Sequence, residues 1–158
     1  MIGLTLVDRT LLESLSEEAR NAPRLRRNRN FHVDLAEPCH RLLNAIEPGS
    51  YIVPHRHRTP ARDETIFAVA GKLGLAVFDD DGEIVLTKVL EPGGETIGVD
   101  MPAGTWHSLV ALAPGTVMFE AKAGPYVQPA PEDFAPWAPR EGDAAAPAYV
   151  TRLEALFA

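Results

Sequence analysis

Leu11, Leu12, Leu15 and Ala19 recur at three-and-four spacing, which puts them on one face of a helix. The pattern predicts an amphipathic helix over residues 8–22, with Asp8 as its N-cap and Pro23 just past its end. Beyond residue 39 the period shortens to two. Runs at 39–47, 50–58, 65–70, 73–78, 84–90, 96–101, 106–112 and 116–122 are separated by turn residues. Among the breaks are Pro48-Gly49, Gly71, Pro92-Gly93-Gly94, Pro102-Ala103-Gly104 and Ala113-Pro114-Gly115. Asp80-Asp81-Gly82 marks a tight hairpin, because Asp-Gly supplies the positive φ of a primed turn. About eight short strands with no long helix between them indicate an antiparallel sandwich or barrel and not a βαβ fold.

The segment from Gly124 to Asp143 is rich in Pro and aromatic residues, among them Pro125, Tyr126, Phe134, Pro136 and Trp137. It is expected to wrap the body in an extended path with its aromatics docked. Residues 147–157 read as a short helix, with Tyr149, Val150, Leu153, Leu156 and Phe157 on one face and Pro147 in the first turn. The chain therefore divides into an N-terminal helix and basic arm (1–38), a barrel (39–123) and a wrap with its helix (124–158). At 158 residues these are expected to form a single domain.

Composition narrows the function. The formal net charge is −7, a poor match for a phosphate backbone, so no nucleic-acid partner is expected. Cys39 is the single cysteine, which excludes an internal disulfide and a multi-cysteine zinc site and favours a cytoplasmic home. The opening residues lack a basic region and are broken by Asp8 and Arg9, so they are not read as a signal peptide. No apolar run approaches membrane-spanning length, so no membrane partner is expected. Arg24 to Asn30 is the one basic cluster. It reads either as a solvated connector or as a grip for an anionic ligand or partner, with Arg27 its candidate substrate contact.

The chemistry concentrates in Gly49-x5-His55-x-His57-x6-Glu64-x6-Gly71. His55 and His57 are two apart on an expected strand, so both rings project to one face while Arg56 points away. Glu64 opens the next strand. His107 follows the turn Pro102-Ala103-Gly104 at the start of another strand, where it can face the same interior. Three His and one Glu form a mixed donor set for a divalent cation such as Zn, Fe, Mn or Ni. With positions left open, such a site is catalytic in type. A lone histidine is more often a satisfied core or surface residue than a ligand, and His32 and His40 are read as structural or peripheral.

These two blocks resemble the paired motifs of the cupin superfamily. The first is matched by Gly49, His55, His57, Glu64 and Gly71, the second by Gly98, Pro102, Gly104 and His107, with Ala111 where the second motif closes on Asn. The resemblance implies an all-β cupin jelly-roll β-barrel, here with an N-terminal helix and a short C-terminal helix. It also implies a metal held by His55, His57, Glu64 and His107. The segments Arg26 to His32, Arg41 to Ala45, Gly124-Pro125-Tyr126 and Ala135-Pro136-Trp137 are similar to the WbuC-type cupin metalloproteins, which are associated with surface-polysaccharide gene clusters. A homodimer is what the cupin resemblance implies.

Several polar residues are expected around the metal. Glu120 and Lys122 share one parity on the last strand, and Tyr126 leaves it near the barrel mouth; these three are the candidate catalytic groups. Arg41 and Asn44 are candidate substrate contacts, but their opposite parity means that both face inward only across a bulge. Trp106 points away from His107 and is read as packing. The expected activity is isomerisation or epimerisation of a small polar substrate such as a sugar or nucleotide sugar. The alternatives are a non-catalytic metal-dependent binding module, an Fe(II)-dependent dioxygenase, and a metal-free epimerase using His and Tyr.

Overall fold

The computed structural model describes residues 3–158; Met1 and Ile2, the start of the apolar stretch read against a signal peptide, lie outside the described residues. Helix α1 spans Arg9–Arg20, slightly inside the expected limits, and Asp8 caps it by accepting from the Leu11 N–H at 3.0 Å. Its buried residues Leu15 and Ala19 pack on Leu43, Ala45 and Val117. The stripe that defines the helix therefore also docks it on the outside of a sheet.

Strands β1 (Arg26–Asn30), β2 (Cys39–Ile46), β3 (Glu64–Ala70), β6 (Gly98–Met101) and β8 (Thr116–Ala123) form one antiparallel sheet in the order β1-β2-β8-β3-β6. Strands β4 (Leu73–Phe78), β5 (Ile84–Leu90) and β7 (Trp106–Ala111) form a second, in the order β5-β4-β7. Ile46, Ile66, Leu73, Leu75, Leu90, Leu109 and Met118 fill the space between the sheets. This is the cupin jelly roll that the motifs imply, with a helix at each end of the chain.

Two stretches depart from the expectation. The basic run is not a connector: Arg26–Asn30 pairs with β2 from Arg26↔Ile46 to Asn30↔Leu42. It lies at a sheet edge and is almost wholly exposed, so it carries no alternation of apolar and polar residues to betray it. Conversely, residues 50–58 form no regular strand. They are extended but held by isolated bridges, His55↔His107, His55↔Phe134 and Arg58↔Ala61. Pro54 lacks the N–H that a continuous ladder needs.

Ala135 and Ala138, with helix α2 (Ala146–Glu154), cover Ala76, Phe78, Trp106 and Val110 on the outer face of the second sheet. Gly82 in the β4–β5 turn has φ +86°, and a Cβ there would lie 2.6 Å from the Trp137 ring. The turn residue is thus both a conformational requirement and a seat for the wrap. No helix among the described residues is long and apolar enough to cross a membrane.

Candidate metal centre

Three parts of the chain converge at one end of the barrel. His55 and His107 exchange backbone hydrogen bonds, each N–H reaching the other's carbonyl at 2.9 Å. The His57 carbonyl accepts from the Gly104 N–H at 3.2 Å, which ties the turn before β7 to the same segment. Glu64 is the first residue of β3, paired with Lys122 on β8 and Met101 on β6. In consequence one donor atom from each of His55, His57, Glu64 and His107 lies within 4.8 Å of all the others.

Local hydrogen bonds set which ring nitrogen faces inward. His55 Nδ1 is 2.9 Å from the Val53 carbonyl and His107 Nδ1 is 2.9 Å from the Thr105 carbonyl. A carbonyl only accepts, so these contacts assign the proton to Nδ1 and leave an Nε2 lone pair on each ring. His57 Nε2 and His107 Nε2 are each 3.2 Å from Glu64 Oε2. His107 Nε2 is nevertheless buried without a hydrogen-bond partner, since its approach to the carboxylate lacks the required geometry. A buried acceptor left unsatisfied beside a carboxylate and two more imidazoles is the arrangement a cation completes. Three nitrogens and one oxygen suit a divalent first-row metal.

Burial alone would raise the Glu64 carboxyl, but in the absence of a cation, donation toward it from His107 and His57 (the tautomer opposite to the one that ligates), together with the charge of Lys122, holds it well below the usual carboxylate range. Burial, then His107 and His57, push His55 well below the usual imidazole range, so it stays neutral. Lys122 Nζ donates to Glu64 Oε1 at 3.1 Å and to the Glu120 carboxylate. Burial would lower Lys122, yet Glu120 and Glu64 outweigh it and hold the ammonium above its ordinary range. Burial and Glu64 lift Glu120 to about 7 against the pull of Lys122.

The centre opens on a cavity of about 760 Å³. Lys122, Glu120, Asn44 and Tyr126 all line it. Asn44 is buried, and its Oδ1 has no hydrogen-bond partner. Tyr126 is half exposed. Arg27 stands at the margin, exposed, with its guanidinium on Glu18 of α1 at 3.2 Å.

Arg41 does not join them. It is exposed and lies 3.7 Å from Glu37, while its neighbours His40, Leu42 and Asn44 line the cavity. The β2–β8 register runs without interruption from Cys39 to Ile46, so the bulge needed to bring Arg41 and Asn44 to one face is absent. Trp106 packs on the far side, its Nε1 donating to Asp80 at 2.9 Å.

Sequence reasoning missed two features of the wall. His32 and His40 stack with ring centroids 4.1 Å apart and both line the cavity. His32 Nδ1 accepts from the Arg41 N–H at 3.2 Å, while His40 Nε2 lies 3.1 Å from the Leu35 carbonyl. The basic cluster also has an intramolecular anion: Arg24 and Arg26 hold Glu141 of the wrap at 2.5 and 2.9 Å. Nothing local in the sequence joins residues 24 and 141, and only the path of the wrap brings them together.

Comparison with known proteins supports the fold. Residues 7–90 match a family model described as "Domain of unknown function (DUF6016)". No curated protein matches the chain. KdgF from Halomonas sp. is 19% identical, with a TM-score of 0.50 over 65% of this chain and 81% of its own. The conserved SPY1581 protein of unknown function from Streptococcus pyogenes is 14% identical, with a TM-score of 0.52 over 80% and 93%. A mutant of Bacillus subtilis oxalate decarboxylase OxdC is 18% identical, with a TM-score of 0.51 over 69% of this chain but only 28% of its own. At these identities the likeness is one of fold.

Proposed function

The chain belongs to the DUF6016 family, and from that premise we propose that it is a cupin metalloprotein that binds one divalent cation through His55, His57, Glu64 and His107. It acts on a small polar substrate in the cavity above, as an isomerase or epimerase of a sugar or nucleotide sugar. The observation that carries the metal reading is the convergence of four donor atoms within 4.8 Å, one of them the unsatisfied Nε2 of His107. The sugar assignment rests on the WbuC-type segments and on the polar wall of the cavity. A homodimer in the cytoplasm belongs to the same reading.

A bound cation with an open position supplies Lewis acidity to a substrate oxygen. The protein's own residues supply the rest. Lys122 is an ammonium with three N–H donors, two of them used by Glu64 and Glu120, so one remains for a substrate oxygen. Glu120 stands behind it as the proton acceptor of the pair. Asn44 Oδ1 accepts from a substrate hydroxyl, which satisfies an acceptor that is otherwise buried alone. Tyr126 offers a phenol at the rim, and Arg27 a cation at the outer margin for an anionic group.

The test is elemental analysis of purified wild type, His57→Ala and His107→Ala, followed by thermal-shift screening with nucleotide sugars and a turnover assay on each hit. Stoichiometric metal in the wild type and its loss from both variants is expected, with product formed from a hit. Metal retained by both variants overturns the site. Binding without product makes the protein a binding module.

A further inference from the structure

We infer that the C-terminal wrap completes the metal centre from behind, with Asp133 as a positioning residue that fixes His55 and His57 through the intervening Arg56. The inference rests on the metal-centre reading and extends it to residues outside the cupin motifs.

The His-x-His segment lacks the support of a regular sheet. On one side His55 pairs with His107. On the other side its only bridge partner among the described residues is the wrap. The Arg56 N–H donates to the Asp133 carbonyl at 2.9 Å, and the Ala135 N–H donates to the Pro54 carbonyl at 2.9 Å. Residues 54–56 and 133–135 thus form a two-rung ladder centred on the His55↔Phe134 bridge. A single bridge on each edge specifies the face of a strand weakly, and one slip would turn both imidazoles to the wrong side.

Arg56 supplies the missing specification. Side chains alternate along extended backbone, so anchoring Arg56 to the rear commits His55 and His57 to the front. Its guanidinium lies 4.0 Å above the Trp106 ring. Asp80 is 3.5 Å from Arg56 Nη1, but Asp80 is almost fully exposed. Asp133 is the buried partner, 2% exposed, with Oδ1 3.9 Å from Arg56 Nε. Its other oxygen, Oδ2, accepts from the Thr59 N–H at 3.2 Å, at the far end of the same segment. One enclosed carboxylate therefore accepts a hydrogen bond from Thr59 and faces the Arg56 guanidinium as an ion pair, with no hydrogen bond between Oδ1 and Nε. Such a charge is costly to bury unless paired, and Arg56 is the only cation within ion-pair distance of it among the described residues.

The experiment uses the full chain loaded with Co²⁺, whose visible absorption reports ligand geometry directly. Asp133→Ala removes both contacts. Asp133→Asn keeps an acceptor for Thr59 but removes the charge facing Arg56. Far-ultraviolet circular dichroism is recorded on every variant, and all titrations are run well below the melting transition. Loss of an outer group that orients ligands typically weakens metal binding by about 10–100-fold. Asp133→Ala is expected near the upper end and Asp133→Asn near the lower, each with an altered Co²⁺ spectrum. Glu132→Gln, at the exposed neighbour, is expected to match the wild type. If Asp133→Ala does not fold, Asp133→Asn alone decides.

Folded Asp133 variants with wild-type Co²⁺ affinity and spectrum overturn the inference. His57→Ala run in parallel separates that failure from failure of the centre itself. If His57→Ala also binds like wild type, the metal-centre reading falls. If His57→Ala loses Co²⁺ while the Asp133 variants keep it, only the role of the wrap falls.

Discussion

Lys122 Nζ lies 3.1 Å from Glu64 Oε1, on the opposite side of that carboxylate from the imidazoles, which approach Oε2. The pairing follows from register, because Lys122 stands directly across from Glu64 between β8 and β3. A single carboxylate thus serves a half-buried cation through one oxygen and His57 and His107 through the other. Lys122 also reaches Glu120, so it separates two buried acids that would otherwise repel.

Replacing Lys122 by Met therefore strands two carboxylates. Removing one partner from a buried ion pair costs about 3–5 kcal/mol, less whatever Glu120 recovers by taking up a proton. Urea unfolding of metal-free protein should show that loss. Added Zn²⁺ should restore more stability to Lys122→Met than to the wild type, because the cation then takes over the charge balance of Glu64. Equal gains in both proteins would contradict this account.

Asn44 and Arg41 make a paired prediction. Asn44→Leu removes an unsatisfied buried acceptor from the cavity wall, whereas Arg41→Ala touches an exposed side chain whose nearest carboxylate is Glu37. For any ligand found by thermal-shift screening, Asn44→Leu should reduce affinity by about 5–150-fold, the usual 1–3 kcal/mol of a buried polar contact. Arg41→Ala should leave affinity unchanged. Isothermal titration of both variants decides, and a loss confined to Arg41→Ala would place the ligand elsewhere.

The fold and the His/Glu cluster able to hold a metal ion were legible because each rests on local chemistry. Turn residues such as Gly71 and Asp81-Gly82 punctuate the strands, and the four residues of the cluster stand at strand starts or beside turns. What was not legible depends on distant partners. Strand β1 is polar on both faces and becomes a strand only because β2 offers an open edge. The stretch 50–58 alternates like a strand, yet it contains Pro54 and finds neighbours only at single bridges. The ion pairs of Arg24 and Arg26 with Glu141 span most of the chain, and no periodicity encodes them. Parity did foresee that Arg41 and Asn44 could not share a face on a regular strand. It could not foresee that Asn44 would be the inward one.

The Glu141 clamp gives the tail a pH dependence. Arg24, with Arg26, holds the Glu141 carboxyl below its usual range. A depressed folded-state value means that the stabilisation is present above the unfolded carboxylate range near pH 4.5 and disappears as pH falls through the folded value. The clamp is partly exposed, so its contribution is about 1 kcal/mol or less. Glu141→Gln should abolish this part of the acid dependence and leave neutral-pH structure intact. Hydrogen exchange across residues 131–143, compared at neutral and acid pH, checks it. An identical acid response in both proteins would remove the clamp from the account.

Gly82 tests how the wrap is seated. With φ at +86°, any L side chain there is strained, by about 1–2 kcal/mol. A Cβ would also lie 2.6 Å from the Trp137 ring, closer than real contacts allow. The ring cannot simply retreat, because it stacks edge-on against Trp106 with centroids 5.0 Å apart and lies near Phe78 on the outer sheet face. Gly82→Ala should therefore destabilise the protein by more than the backbone term alone and change tryptophan fluorescence. Gly93→Ala supplies the control, since Gly93 also has positive φ, +75°, but no atom near its missing Cβ. Equal loss at the two positions in urea unfolding would mean that Trp137 moves aside without cost. A larger loss at Gly82, with the fluorescence change confined to that variant, would make the hairpin turn a structural seat of the wrap.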